Sequence, residues 1–387
     1  MFSYLFVGSL TAVILPYVQV MLSNHGFSPS VIGLFLSLYE SIGIVGPFVI
    51  GSLSDRTGKP REVSIAITIV MVLATIPVAL SSHPVMIAIF LSLSSFFWRS
   101  VYPVQDAMTI KRLGANASRY TYIRSLLTAG FIIFSLLHKA TGWLDTSDNR
   151  SILMWIVAGG ALYLVAILLV PKDRNITEAD RSPSLWPFGK SKGDAPVFTK
   201  TLTIAIIVIA FNRLAMSSIN SFNSLYVKDV LERADLVGVL NSIGAVCELL
   251  FMLLSGYLLG RKVKPMTLIA LSALGLIVRL LLYAFVPTMF GAVLAQTLHS
   301  LTFGIFHPAA VMFIGTHVAK NRRAMGMALY TSLGVGLPAV IGSALGGVLV
   351  ESLGFSGMFV IYTAFAAISL IIQWIFRSPL FSEKVSQ

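Results

Sequence analysis

The chain consists of long apolar segments separated by short polar turns. One such segment, SIAITIVMVLATIPVAL at 64–80, carries no charge, and a helix that crosses the roughly 30 Å hydrocarbon layer of a bilayer needs about 20 mainly apolar residues. The alternating ten-residue segments of an outer-membrane barrel do not occur, so the segments are predicted to be helices. Breaking the chain at its polar turns predicts twelve membrane spans, at about 3–22, 30–53, 63–81, 85–109, 121–138, 151–170, 200–226, 236–259, 265–286, 288–316, 324–349 and 356–377.

Composition supports a chain that is surrounded by lipid. Of the 387 residues, 56% are hydrophobic and only 11% are charged, which is too little polar surface for soluble domains of that total length. The net charge of +12 does not indicate nucleic-acid binding, because the cations fall in the turns and not along one face. The single cysteine, Cys247, excludes a disulfide framework within the chain. The predicted fold class is an all-α membrane protein.

Lysines and arginines fall mainly in every second turn. The opposite turns hold only Lys139, Arg150, Lys228 and Arg233, so the positive-inside rule places the basic turns and both termini in the cytoplasm. The first segment lacks the basic start and the small-residue cleavage site of a signal peptide, so it is predicted to remain as the first span. We expect a multi-pass protein of the inner (plasma) membrane.

One long polar segment, at 171–199, separates the sixth span from the seventh. An offset of 205 residues aligns the turn after the second span with the turn after the eighth, pairing Gly51, Leu53, Arg56, Lys59 and Pro60 with Gly256, Leu258, Arg261, Lys264 and Pro265. We therefore predict an N-terminal six-helix bundle at 1–170, a cytoplasmic linker at 171–199 and a C-terminal six-helix bundle at 200–387. Secondary transporters use repeated six-span halves, with the solute site between them near the middle of the membrane.

The turn after the second span reads GSLSDRTGKPR at 51–61. It resembles the signature loop of the major facilitator superfamily, G-x-x-x-D-[RK]-x-G-[RK]-[RK]. The resemblance implies two pseudo-symmetric six-helix bundles and a conformational latch between them, formed by Gly51, Asp55, Arg56, Gly58, Lys59 and Arg61. The second copy has Gly260 in place of the acid, so a symmetric second latch is not expected. The alternative interpretation is a basic cytoplasmic loop with no moving part.

Ionisable residues also lie inside the predicted spans, where each is costly unless it faces a cavity or a partner; they are Glu40, Arg99, Asp106, Arg124, Arg213, Glu248, Arg279, His299 and His307. Arg99 and Asp106 are seven residues apart on one face of the fourth span, and Arg124 opens the fifth span where it could meet Asp106. Arg99 and Arg213 could suit a carboxylate solute or could balance Glu40. These residues either line a central solute cavity or form structural ion pairs.

The seventh span carries a polar stripe that includes Asn220 and Asn223. Amide side chains suit solutes that carry hydroxyl or carbonyl groups. Amides also hold membrane helices together, so the stripe predicts either solute binding or helix packing.

A narrower resemblance lies mainly in the second half of the chain. ELL at 248–250, VR at 278–279, QTLHSLTFGIFHPAA at 296–310 and ESLGFSG at 351–357 are similar to segments of the lactose-permease-type oligosaccharide:proton symporters, and more closely to their phenylpropionate-permease-like branch. The eighteen-residue spacing of Asp106 and Arg124 also matches. The resemblance implies that Asp106 and Arg124 contact the solute. It also implies a proton-coupling network of Glu248, Arg279 and His299.

Three positions depart from lactose permease. Thr302 replaces its main proton-carrying glutamate, Phe131 replaces the tryptophan that stacks on galactose, and Gln296 replaces a lysine. His307, eight residues after His299, matches the phenylpropionate-permease-like branch instead. Lactose specificity is therefore not implied, and another acid must carry any coupled proton.

The predicted function is secondary transport of a small organic solute, of the sugar, nucleoside or aromatic-acid class, by alternating access and proton symport. The predicted solute-binding residues are Asp106, Arg124, Arg99, Phe131, Asn220 and Asn223, and the predicted coupling residues are Glu248, Arg279, His299, His307 and Glu40. A proton-driven exporter of apolar drugs and a non-transporting membrane receptor are the alternatives. We expect a monomer that is not an enzyme and has no cofactor or metal, since no Walker A motif, metal-spaced His/Cys cluster or nucleophile elbow occurs.

Overall fold

The structure, a computed structural model, describes residues 2–113, 119–171, 199–318 and 323–381. The apolar segments form helices, which are α1 (Phe2–Asn24), α2 (Pro29–Thr57), α3 (Pro60–Leu80), α4 (Pro84–Leu113), α5 (Tyr120–Thr141), α6 (Asn149–Leu168), α7 (Lys200–Asp229), α8 (Val237–Gly260), α9 (Pro265–Phe285), α10 (Met289–Thr297), α11 (Phe306–His317), α12 (Arg323–Leu329), α13 (Leu337–Ile375) and α14 (Arg377–Phe381). A short 3₁₀ turn, Ala234–Leu236, precedes α8.

Proline and glycine set several helix ends. Four helices begin at a proline, namely Pro29, Pro60, Pro84 and Pro265, because a proline in the first turn loses no intrahelical hydrogen bond. The helix α2 ends at Thr57 and is capped by Gly58, whose φ of 63° and ψ of 18° are left-handed, and whose N–H donates to the Ser54 carbonyl at 2.9 Å. Glycine tolerates this conformation because it has no Cβ.

Two of the long apolar stretches contain a π-helical segment. Ser300–Ile305 joins α10 to α11, and Tyr330–Gly336 joins α12 to α13. A π-helical turn inserts a residue into an α-helix and rotates the side chains that follow it, and such turns are frequent at functional sites.

The last apolar stretch, at 325–375, is long enough to cross a membrane twice. Its 51 residues would extend for roughly 75 Å as one straight α-helix, against the roughly 30 Å of the hydrocarbon layer. Gly354 interrupts α13 with a φ of 71° and a ψ of 176°. The interruption falls between the predicted eleventh and twelfth spans. With it, the eleven membrane-length stretches among the described residues account for the twelve predicted spans.

The helices pack into two compact units. Of the described residues, the first unit contains 2–28, 38–113, 119–171 and 233–242. Within it, α1 packs against α5 and α6, and α3 packs against α4 and α6. The start of α8 belongs to this unit, where Lys139 of α5 forms an ion pair with Asp235.

Of the described residues, the second unit contains 29–37, 199–232, 243–318 and 323–381. Within it, α13 packs against α7 and α9, and α9 packs against α10 and α11. The start of α2 belongs to this unit, where the Ser30 N–H donates to Glu351 Oε2 at 3.0 Å. The boundaries at 170 and 200 stay a prediction, since residues 172–198 of the linker lie outside the described ranges.

Candidate functional site

The first polar cluster lies in the first unit and centres on Asp106 of α4. Arg124, from α5, donates through Nη1 to Asp106 Oδ2, and the Tyr4 hydroxyl, from α1, donates to Asp106 Oδ1 at 2.7 Å. Each carboxylate oxygen therefore receives a hydrogen bond from a different helix. The pairing of Asp106 with Arg124 that the sequence predicted is present, while its contact with a solute stays a prediction.

This cluster combines a partly exposed charged pair with several hydroxyl groups. The Arg124 side chain is 40% exposed and that of Asp106 is 20% exposed. Arg124 also donates to the Tyr120 hydroxyl at 3.2 Å, and its Cζ lies 5.8 Å from the centre of the Tyr102 ring. The Tyr102 hydroxyl in turn hydrogen-bonds the Thr11 hydroxyl at 2.9 Å. Such a set can donate to, and accept from, hydroxyl or carbonyl groups.

Glu40 and Arg99 form the second ion pair of the first unit. Arg99 Nη2 donates to Glu40 Oε1 at 2.5 Å, and the guanidinium lies 5.5 Å from the centre of the Tyr39 ring. Arg99 was a predicted solute-binding residue and Glu40 a predicted coupling residue. In the structure the two side chains form an ion pair with each other. Of the interpretations that the sequence left open, the structure places Arg99 as the charge partner of Glu40.

The second polar cluster lies in the second unit and is organised by Arg279 of α9. The Arg279 side chain is 1% exposed. Its Nη1 lies 3.0 Å from His299 Nδ1 and donates to Thr302 Oγ1 at 3.0 Å, and its Nη2 donates to Gln296 Oε1 at 3.0 Å. One buried guanidinium thus holds three side chains around the π-helical segment of the tenth span.

The hydrogen bonds of His299 define its protonation. Because Arg279 can only donate, His299 Nδ1 must be the acceptor and carries no hydrogen. The hydrogen of the neutral ring is then on Nε2, which lies 3.0 Å from Glu248 Oε2. Neutral His299 therefore accepts from Arg279 and donates to Glu248. The predicted network of Glu248, Arg279 and His299 is present as one hydrogen-bonded chain, and its role in coupling stays a prediction.

Arg213 of α7 lies in the same unit and is 6% exposed. Its Nη2 donates to Asn212 Oδ1 at 2.5 Å and to the Thr302 carbonyl at 2.7 Å, and its Nε donates to Asn212 Oδ1 at 3.2 Å. Its Cζ lies 3.6 Å from the centre of the Phe306 ring. These partners are neutral, so Arg213 is held by amide, carbonyl and aromatic groups instead of a carboxylate.

His307 lies at the start of α11 and joins the two π-helical segments. Its Nδ1 is 3.1 Å from the Tyr330 hydroxyl. Its ring is stacked on that of Phe303, with centroids 5.5 Å apart and planes 2° apart, and Phe303 is stacked on His299 at 6.0 Å. The two histidines therefore flank one aromatic ring. No direct contact joins His307 to Glu248 within the part of the chain that the structure describes.

The remaining predicted solute residues differ in their access. Asn220 is exposed on α7, whereas Asn223 is 5% exposed. Phe131 is also 5% exposed and lies in the interior of the first unit. Solute contact by these three residues stays a prediction.

The charged residues of the turn after α2 differ in their exposure. Asp55, Arg56 and Lys59 are exposed, whereas Arg61 is 9% exposed and donates to the carbonyls of Ile167 at 3.1 Å and Leu168 at 2.7 Å. Arg61 therefore anchors the end of α6. Asp55 takes part in no ion pair with any described residue. The latch itself stays a prediction.

Sequence reasoning did not identify the tyrosines of these clusters. Tyr4, Tyr102 and Tyr330 each place a hydroxyl within 3.1 Å of a polar partner. A buried tyrosine hydroxyl usually finds such a partner, and that was the one available signal in their apolar spans. The partner itself could not be identified, because it lies on a distant segment in each case.

Comparisons with known proteins identify the family. The pattern of the MFS_1 like family matches residues 1–362. A maltose permease of Geobacillus stearothermophilus is 21% identical over 360 residues, which cover 92% of this chain and 88% of the permease. A probable 3-phenylpropionic acid transporter of Escherichia coli (strain K12) is 26% identical over 349 residues, which cover 88% of each chain.

Solved structures agree on the fold. The nucleoside transporter NupG superposes with a TM-score of 0.80 at 18% identity, over 99% of this chain and 98% of the other. The xylose transporter XylE from E. coli superposes with a TM-score of 0.68 at 15% identity, over 97% of each chain. The predicted major facilitator fold is confirmed, and the chain belongs to the MFS_1 like family of the major facilitator superfamily, as a multi-pass membrane transporter and not an enzyme.

Proposed function

We propose that this transporter carries a small organic solute together with a proton, by alternating access. The solute belongs to the sugar, nucleoside or aromatic-acid class. Relatives and structural neighbours named for maltose, 3-phenylpropionic acid, nucleosides and xylose support that range. The Asp106–Arg124 pair, with its hydroxyl neighbours, is the proposed solute contact of the first unit.

The observation that carries the proposal is the hydrogen-bonded chain from Arg279 through His299 to Glu248. The Glu248 side chain is 26% exposed and that of His299 is 21% exposed, so neither side chain is sealed within the helix packing. Arg279 contacts the ring nitrogen of His299 that does not face Glu248, and it is buried. A titratable acid linked through a histidine to a buried arginine is typical of proton relays within membrane spans.

Protonation of Glu248 changes the forces on three membrane spans. Ionised Glu248, on α8, attracts the hydrogen of His299 and, through it, the charge of Arg279 on α9. A proton on Glu248 neutralises the carboxylate and removes that attraction, which leaves Arg279 held only by neutral groups. Since a bound proton can shift a conformational equilibrium only by binding one state better than the other, this difference in network stability is the proposed coupling.

We further propose that the protein acts as a monomer in the inner membrane, with both termini in the cytoplasm. The alternating basic turns support this orientation. Uptake in right-side-out vesicles tests the direction of transport, since an exporter of apolar drugs would give efflux instead.

The proposal is tested by Glu248→Gln in proteoliposomes. Glutamine resembles the protonated acid and cannot release a proton, so we expect loss of uphill accumulation driven by a pH gradient while solute exchange across the membrane remains measurable. Glu62→Gln, an exposed carboxyl group in the first turn of α3, is the matched control and is expected to accumulate solute as the wild type does. Uphill accumulation by Glu248→Gln at the wild-type level would contradict the role of Glu248.

A further inference from the structure

The buried charges of the second unit do not balance. In the first unit, Arg99 pairs with Glu40 and Arg124 with Asp106. In the second unit, Arg279 reaches Glu248 through His299, and Arg213 is left over. Among the described residues, Arg213 is the arginine of the span interiors that has no carboxylate in contact, directly or through a histidine. An unbalanced charge at this depth is costly, and such residues commonly mark a solute or ion pathway.

The hydrogen bonds of Arg213 leave one edge of its guanidinium open. Nε and both hydrogens of Nη2 are used on Asn212 Oδ1 and the Thr302 carbonyl. Nη1 makes no hydrogen bond with any residue that the structure describes, so its two N–H groups remain available. Asn212 Nδ2 is also buried without a partner in the described chain. The surplus here consists entirely of donors, which suits an acceptor ligand.

The segment that packs on Arg213 adds a donor and two aromatic rings. Arg213 donates to the Thr302 carbonyl and lies over the ring of Phe306, and His307 follows Phe306 directly in α11. When the Tyr330 hydroxyl donates to His307 Nδ1, the His307 Nε2–H is a further donor. Phe306 packs on the guanidinium, and the Phe303 ring is stacked on His307. A cation, a histidine and two phenyl rings together fit an anionic group attached to a flat apolar body.

We propose that Arg213, with His307 and Tyr330, binds the carboxylate of an aromatic or other apolar monocarboxylic acid. The inference rests on the proposed transport function and narrows its solute class. A guanidinium matches a carboxylate because two parallel N–H groups can donate to its two oxygens. Neutral sugars and nucleosides would leave the charge of Arg213 unbalanced.

The proposal also explains how a proton and an anion could travel together. With Glu248 ionised and no ligand, the two arginines exceed the one acid by a single positive charge. With Glu248 protonated and a carboxylate bound, the excess is again a single positive charge. The charge that the second unit carries is therefore the same in the empty and the fully loaded state. Binding of the carboxylate while Glu248 stays ionised would remove this single positive charge.

The test measures binding to the purified full-length chain in lipid nanodiscs by isothermal titration calorimetry. The probes are 3-phenylpropionate and phenylacetate, their primary amides, maltose and uridine. The wild type is expected to bind at least one of the two carboxylates and to bind its amide about ten- to hundredfold more weakly, as loss of a charge-assisted hydrogen-bond pair requires. Arg213→Gln is expected to weaken carboxylate binding by a similar factor and to leave amide binding unchanged.

Two further variants keep the test decisive. Arg213→Lys keeps the charge without the planar fork and should bind the carboxylates with intermediate affinity. Tyr330→Phe serves as the test where Arg213→Gln does not fold, and it should weaken carboxylate binding several-fold. Arg261→Gln removes an arginine that lies over Tyr257, at 4.8 Å, near the end of α8, and should leave affinity unchanged.

Carboxylate affinity that is the same in Arg213→Gln and the wild type would overturn the inference. Binding of maltose or uridine with no response to either carboxylate would also overturn it, while leaving the proposed solute transport intact. Failure of the proposed function itself is seen separately, as a wild-type protein that transports none of the three solute classes in proteoliposomes.

Discussion

The two hydrogen bonds of His299 can be removed one at a time. Asparagine places its amide near the position of Nδ1, so His299→Asn can still accept from Arg279 but does not reach Glu248. Glutamine extends its amide to the position of Nε2, so His299→Gln can still donate to Glu248 but leaves Arg279 without that acceptor. The two substitutions therefore test the hydrogen bond to Arg279 and the hydrogen bond to Glu248 separately.

The structure sets the expected sizes of the two effects. A hydrogen bond to a charged group contributes about 1.5–3 kcal/mol in soluble proteins, and bonds between membrane helices average about 0.6 kcal/mol with a maximum near 1.7 kcal/mol. Arg279 is 1% exposed, so water cannot replace its lost acceptor. We expect His299→Gln to lower the free energy of unfolding by about 1–2 kcal/mol. His299→Asn should lower it less, because Glu248 is 26% exposed and can be solvated.

The functional effects are expected in the opposite order. His299→Asn breaks the contact with Glu248 and should abolish accumulation driven by a pH gradient, whereas His299→Gln keeps that contact and should retain part of it. Thermal unfolding in detergent and uptake in proteoliposomes measure the two properties on the same preparations. Full accumulation by His299→Asn, together with loss of accumulation by His299→Gln, would refute the assignment of the coupling bond.

Two other substitutions test the first unit. Arg124→Lys keeps the charge near Asp106 but loses the planar five-donor fork, so solute affinity measured by calorimetry should fall at least about tenfold, and wild-type affinity would make Arg124 a structural cation. Gly46→Ala should lower the free energy of unfolding by about 1–3 kcal/mol, because a Cβ there would lie 2.9 Å from the carbonyl carbon of Phe96. Gly51→Ala is its control, since a Cβ at Gly51 meets no atom within 4 Å. Its melting temperature should be equal to or above that of the wild type, and a lower value would contradict the open space around Gly51.

The sequence was sufficient for the positions of the membrane spans. Apolar length and the polar turns predict helix ends to within a few residues, as α4 shows: the predicted span at 85–109 is the helix Pro84–Leu113. The break between the last two spans was also predicted, and Gly354 provides it. These features are local, because a helix in lipid satisfies its own backbone hydrogen bonds.

The π-helical segments could not be predicted from the same pattern. Ser300–Ile305 and Tyr330–Gly336 carry no charged residue and lie within continuous membrane-length stretches. One inserted residue changes which side chains share a face without changing composition. Their consequence is specific, since one segment carries Thr302 to Arg279 and the other carries Tyr330 to His307.

Charged residues were easier to place than neutral ones. Asp106 and Arg124 could be paired from the sequence because each is costly in lipid without a partner. The same cost in lipid applies to Arg99 and Arg213, but only the structure shows which of them has a carboxylate partner. Arg99 pairs with Glu40, whereas Arg213 contacts amide, carbonyl and aromatic groups. The distinction depends on which helices are neighbours, which local spacing does not determine.

The most direct test of proton coupling measures proton and solute movement together. Proteoliposomes that contain a pH-sensitive dye, with no imposed pH gradient, are given an inward gradient of a transported solute. If solute and proton enter together, the lumen of wild-type vesicles acidifies as solute enters. Glu248→Gln vesicles should take up solute with no change of luminal pH. Solute entry into wild-type vesicles without acidification would contradict proton symport.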